Sequence, residues 1–275
     1  MEAFPVGAGA YSIVAGPDGA LWMTLVHSGQ IARLTTDGQV STYDLGDEQS
    51  RPSIITNGPD GALWFTTARG IGRITTDGVI ASYPKPDSAP FGITAGPDGA
   101  LWFTQMTAGA LGRITTDGRI TERDLPAPAA MIAAGPDGEL WCTLNQANAI
   151  ARGADKFDLP TANAGPVGIT AGGDGALWFV EILAGQIGRI ATDGEITEFP
   201  LPDRAAKPHA IVADPDGGCW FTEWAANRLG HVAADGSFRH HDLPASASEP
   251  HGLTLGPDGA VWVALESGTV ARLKA

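Results

Sequence analysis

Gly96-Pro97-Asp98-Gly99-Ala100-Leu101-Trp102-Phe103-Thr104 states in full a phrase that returns seven times in this chain, its tryptophan recurring at Trp22, Trp64, Trp102, Trp141, Trp178, Trp220 and Trp262. Successive tryptophans lie 42, 38, 39, 37, 42 and 42 residues apart, the spacing of one repeated supersecondary unit. Each unit holds four short runs rich in Ile, Leu, Trp, Phe and Thr. In the third they are Phe91-Gly-Ile-Thr-Ala, Ala100-Leu-Trp-Phe-Thr, Leu111-Gly-Arg-Ile-Thr and Arg119-Ile-Thr-Glu-Arg. This is strand composition, without helical periodicity. Gly-Pro-Asp-Gly between the first two runs and Thr-Asp-Gly between the last two are tight-turn sequences, because Pro presets φ, Asp bonds its own turn and Gly accepts positive φ. Four antiparallel strands repeated seven times predict an all-β fold, a seven-bladed β-propeller spanning residues 1–275 as a single domain.

The two ends of the chain predict how the ring closes. The last unit stops after its third run, Thr269-Val-Ala-Arg-Leu, while Glu2-Ala-Phe-Pro-Val matches the fourth-run ending Thr197-Glu-Phe-Pro-Leu. The N-terminal strand is therefore expected to complete the last blade and remove an open edge. The fourth unit, Ala151-Arg-Gly-Ala-Asp-Lys-Phe-Asp-Leu-Pro, lacks the Thr-Asp-Gly turn and is shortened.

Composition narrows the partners. With 31 acidic and 17 basic residues, a formal charge of −14, the chain repels phosphate backbones and anionic membrane surfaces. Neither nucleic acid nor membrane is an expected partner. No segment reads as a secretory signal or a membrane span, so a cytoplasmic protein is expected. Cys142 and Cys219 share neither register nor metal-ligand spacing and read as buried apolar residues.

Aligning the units exposes their exceptions. Counting five residues back from each Gly-Pro-Asp-Gly equivalent gives one ring: Tyr11, Ser53, Phe91, Ala130, Val167, His209 and His251. If the first strand is innermost, these surround one mouth of the channel, with two histidines in adjacent blades. Glu249 lies two residues before His251, and Glu266 four residues after Trp262, where other units carry Val26, Ala68, Met106, Asn145, Ile182 and Trp224. The hairpin around Pro257-Asp258 brings residue 251 nearly opposite residue 266. Two carboxylates and two imidazoles at one mouth form a candidate metal-assisted acid/base site. Tyr11, Phe91, Met106, Val167, Ile182 and Trp224 add apolar groups for a ligand with rings, although Val167 and Ile182 serve equally well as packing between blades. His27, His231, His240 and His241 share no repeat phase and are expected to face solvent. Glu181 and Glu223, three residues after their tryptophans, read as a structural pair.

At Lys207-Pro-His209-Ala, Glu249-Pro-His251-Gly and Glu266 the sequence resembles the virginiamycin B lyase family, also called streptogramin B lyases, and the likeness extends over the repeats. The resemblance implies that Glu249 and Glu266 help hold Mg2+, that His251 is the general base, and that His209 contacts substrate and assists as an acid. It places Trp224 at a substrate-lining position. It further implies an antibiotic-resistance lyase, acting as a monomer, that linearises cyclic depsipeptides by elimination at the threonyl ester, leaving a carboxylate and a dehydrobutyrine. A neutral imidazole suits removal of a proton α to a carbonyl. Two other readings stay open from the residues: a metal-dependent lactonase or esterase that activates water, and a non-catalytic propeller that binds a protein or peptide.

Overall fold

The computed structural model describes residues 1–244 and 248–274. Seven four-stranded antiparallel sheets follow one another around a ring, six of them built from consecutive strands. Blade one comprises Ala10–Ala15, Leu21–Leu25, Gln30–Leu34 and Val40–Asp44, and its pattern recurs to blade six, Pro208–Ala213, Cys219–Glu223, Arg228–Val232 and Phe238–Asp242. Blade seven takes Pro250–Leu255, Val261–Leu265 and Thr269–Leu273 from the end of the chain and Glu2–Pro5 from its start. Closure therefore follows the expected route, with Glu2 opposite Arg272 and Pro5 opposite Thr269. Blade four shortens as its sequence requires: Ala149–Arg152 turns through Gly153, at φ 57°, directly into Asp155–Asp158.

The repeated phrase builds each blade's core. The second strands are buried along their length apart from half-buried Thr67, and Trp22, Trp64, Trp141, Trp178 and Trp262 are fully buried. The indole N–H of Trp22 donates to Asp18 at 3.0 Å, Arg33 bonds the other oxygen of that carboxylate at 2.7 Å, and Tyr43 stacks on the ring at 5.4 Å. Such a sandwich satisfies the polar atoms that accompany a buried tryptophan.

Blade six rewrites this sandwich and corrects the reading of its histidines. His231 occupies the arginine phase opposite Trp220, is buried, and meets Asp214 at 2.9 Å. His241 occupies the stacking phase, its ring 5.5 Å from Trp220. His240 is only partly exposed and lies 3.3 Å from Glu223. The phases of His231 and His241 were hidden because histidine stands there in place of arginine and of an aromatic ring such as Tyr43. Cys142 and Cys219 are free and buried, and burial pushes the Cys142 thiol up to about 12.

The first strands carry the irregularity that shapes the mouth. In blade seven Pro250 pairs with Leu265 and Leu253 with Val263, so His251 and Gly252 together face one residue. Equivalent bulges hold Tyr11, Phe91, Val167 and His209. A bulge re-aims the side chain it carries. Two residues earlier the backbone turns left-handed, at φ 60° for Glu249 and 52° for Lys207, a conformation that costs a non-glycine residue about 1–2 kcal/mol.

Candidate active site

Four aromatic rings meet at the mouth. The Tyr11 ring lies 4.5 Å from His251, 6.2 Å from His209 and 6.5 Å from Phe91, and the two imidazoles meet edge to face at 4.8 Å. A cavity of about 350 Å³ opens beside them, its wall including Tyr11, Phe91, Met106, Val167 and His209. That volume lies in the range of small-molecule sites. Asn145 and Gln146 also line it, as do Ala130 and Met131.

Glu266 organises the polar side. Its Oε2 accepts from His251 Nε2 at 2.5 Å, and its Oε1 accepts from His27 Nε2 at 2.7 Å. A carboxylate only accepts, so the His251 proton resides on Nε2 and Nδ1 carries the lone pair. That Nδ1 is buried and unpaired. Glu249 lies directly across the hairpin from Glu266, its carbonyl accepting from the Glu266 amide at 3.1 Å, and the bulge brings the His251 side chain round to the same carboxylate.

Burial holds the His251 imidazole below its ordinary value, although Glu266 pulls it upward. His209 is pushed down to about 4, first by burial and then by the charge His251 would carry. Both rings are neutral at pH 7. Burial, reinforced by Glu266, raises the Tyr11 phenol to about 12, so it keeps its proton.

His27 escaped the sequence reading. Although its side chain is 56% exposed, it bonds the carboxylate at the centre of the site. Gly9, at φ 79°, makes room: a Cβ there would come within 2.7 Å of the His27 ring and amide. The available signal was that blades one and seven become neighbours once the ring closes. Trp224 stands outside the cavity wall, with the Lys207 ammonium 5.6 Å from its ring centre. Ile182 is half-buried and likewise outside that wall.

Glu249 and Glu266 offer the hard oxygen donors that magnesium takes, one or two carboxylates beside water. Among the described residues no group of three or more His, Cys, Asp or Glu side chains is placed to hold a metal alone. An ion at this pair would complete its shell with water or substrate oxygens, which fits magnesium chemistry.

The virginiamycin B lyase family model matches residues 2–273. The chain belongs to the virginiamycin B lyase family. The virginiamycin B lyase of Nocardia farcinica is 44% identical over 205 residues, covering 72% of each chain. The virginiamycin B lyase structure from Staphylococcus aureus superposes with a TM-score of 0.93 at 41% identity, covering 100% of this chain and 99% of that one. A catalytically inactive histidine-to-alanine variant of the Staphylococcus aureus enzyme, crystallised with quinupristin, matches with a TM-score of 0.93 at 40% identity over 100% and 99% of the two chains. This family chain is therefore a lyase by kinship as well as a propeller by fold. Among the described residues no helix is long and apolar enough to cross a membrane.

Proposed function

We propose that this chain linearises type B streptogramin antibiotics by elimination across the threonyl lactone ester, as a cytoplasmic monomer conferring resistance. The observation that carries the reading is His251, whose Nε2 is engaged by Glu266 while Nδ1 is buried and unpaired beside the His209 and Tyr11 rings. In the proposed step Nδ1 removes the threonyl α-proton, a Cα–Cβ double bond forms, and the Cβ–O bond breaks. Its electrons leave on the ester carboxylate, so the ring opens without consuming water. The Glu266 carboxylate steadies the imidazolium that results.

His209, neutral at pH 7, serves in this reading as a hydrogen-bonding contact to substrate rather than a charged acid. Tyr11, Phe91 and Met106 cover the apolar parts of the ligand, and Trp224 contributes from outside the cavity wall. Glu249 and Glu266 would hold Mg2+, which supplies Lewis-acid stabilisation of the negative charge that develops on the substrate. A strongly acidic surface disfavours retention of the anionic product, over about 8 Å at physiological ionic strength.

The test is incubation with a type B streptogramin, with and without Mg2+ and a chelator, followed by mass spectrometry. Elimination leaves the mass unchanged and creates a dehydroamino acid absorbance. Uptake of one water would instead establish a hydrolase. His251→Ala is expected to lower the rate by about 10²–10⁴-fold, and chelation to suppress the parent's turnover.

A further inference from the structure

The threonine that ends the repeated phrase joins neighbouring blades. Thr24 accepts from Ser12 N at 3.1 Å and donates to Ser53 O at 2.7 Å. Thr66 links Ile54 N to Phe91 O in the same way, at 3.1 and 2.7 Å, and Thr104 links Gly92 N to Ala130 O at 2.8 and 2.8 Å. A hydroxyl suits both roles, having one proton and two lone pairs. In each case the acceptor is the carbonyl of a ring residue in the next blade.

In blade six the same hydroxyl falls between the two imidazoles. Fully buried Thr222 accepts from Ala210 N, the residue after His209, at 3.0 Å, and donates to the carbonyl of His251 at 2.9 Å. One side chain thus ties together the strands whose histidine rings meet at 4.8 Å.

The blades on either side depart from the phrase. Blade five has Val180 and blade seven Ala264 at this phase, and neither carries a hydroxyl. The carbonyls of His209 and Tyr11 thus receive no such hydroxyl, although they lie against Gly168 and Gly252 as the Ala130 carbonyl lies against Gly92. At the three adjoining rings the repeat threonine holds the His251–Gly252 peptide by its carbonyl and the His209–Ala210 and Tyr11–Ser12 peptides by their N–H groups, and Thr222 is the one that holds both histidine peptides.

We propose that Thr222 is the positioning residue for His251, fixing the bulged backbone of the base relative to the bulged backbone of His209. The proposal rests on the lyase reading. Its physical basis is that a reacting group displaced by about 1 Å loses rate by about 10²-fold, and a bulge lacks the regular ladder that would otherwise hold it.

Thr222→Val removes the hydroxyl at nearly constant volume, and Thr104→Val removes the equivalent pair of bonds between blades three and four. Both are expected to lower Tm alike. Thr222→Val alone should lower kcat, by about 10–100-fold with KM within about threefold, and Thr222→Ser should restore it. Equal kcat losses in the two valine variants, or a folded Thr222→Val with parental kcat, would overturn the proposal. Should Thr222→Val not fold, Thr222→Ser against Thr222→Cys makes the same comparison, because a thiol is a weak donor. In the substrate-free protein the His251 imidazole NMR signals should shift in Thr222→Val and stay in place in Thr104→Val. That readout decides the positioning role even if the parent turns over no streptogramin, a result that would remove the lyase reading instead.

Discussion

His27 precedes Glu266 by 239 positions, yet its Nε2 donates to Glu266 Oε1 at 2.7 Å while His251 holds the other oxygen. A carboxylate bonded at both oxygens has a fixed plane, which fixes in turn the ring that bonds it. Partners of this kind are typically worth about 10–100-fold in metal affinity or activity. His27→Ala is therefore expected to weaken Mg2+ binding to the substrate-free protein by about 10-fold, read by calorimetry, and to lower kcat/KM by a similar factor. His27→Gln, which keeps an N–H donor, should recover most of both. Parental values in His27→Ala would mean that Glu266 holds its place without this partner.

Within a blade, adjoining strands decide whether a buried acid is charged. Glu181 ends the second strand of blade five and is fully buried, with Gln186 of the third strand donating to it at 2.6 Å and Glu198 of the fourth nearby. Burial first, and then the Glu198 charge, raises its carboxyl from 4.5 to about 8 despite the Gln186 bond. Between those values the folded state keeps a proton that the unfolded chain releases. The stability from this group is complete below 4.5 and declines as pH rises toward 8. Glu181→Gln is isosteric with the neutral acid. It should match the parent's Tm at pH 5 and exceed it at pH 8 by roughly 2–8 °C, the effect of about 1–2 kcal/mol in a chain of this size. A constant difference across that range, measured by calorimetry, would assign Glu181 a fixed protonation state.

At the scale of the molecule, seven blades become one ring because the first strand completes the last sheet. Phe4 lies 5.3 Å from Trp262, and Val6 is buried in the same cluster. Removing residues 1–6 exposes that cluster and the edge of Thr269–Leu273. The loss of these two side chains, about 3 kcal/mol, should lower Tm by roughly 6–12 °C, and the open edge should promote association seen by light scattering. An unchanged Tm would locate closure elsewhere in the ring. Blade number, closure, and the nearness of His209, His251 and Glu266, with Glu249 across the hairpin from Glu266, were legible in the amino-acid sequence, because each blade repeats the same local turns and tryptophan packing and an exception stands out by its phase. His27 on Glu266, the bulge that aims His251, the placement of Trp224 outside the cavity, the burial of His231 and the packing of His241 beside Trp220 became visible only in the tertiary structure. Repeat phase specifies where a residue lies along its own blade. Which neighbour its side chain reaches depends on the closed ring, on backbone irregularity, and on contacts between residues far apart in the chain.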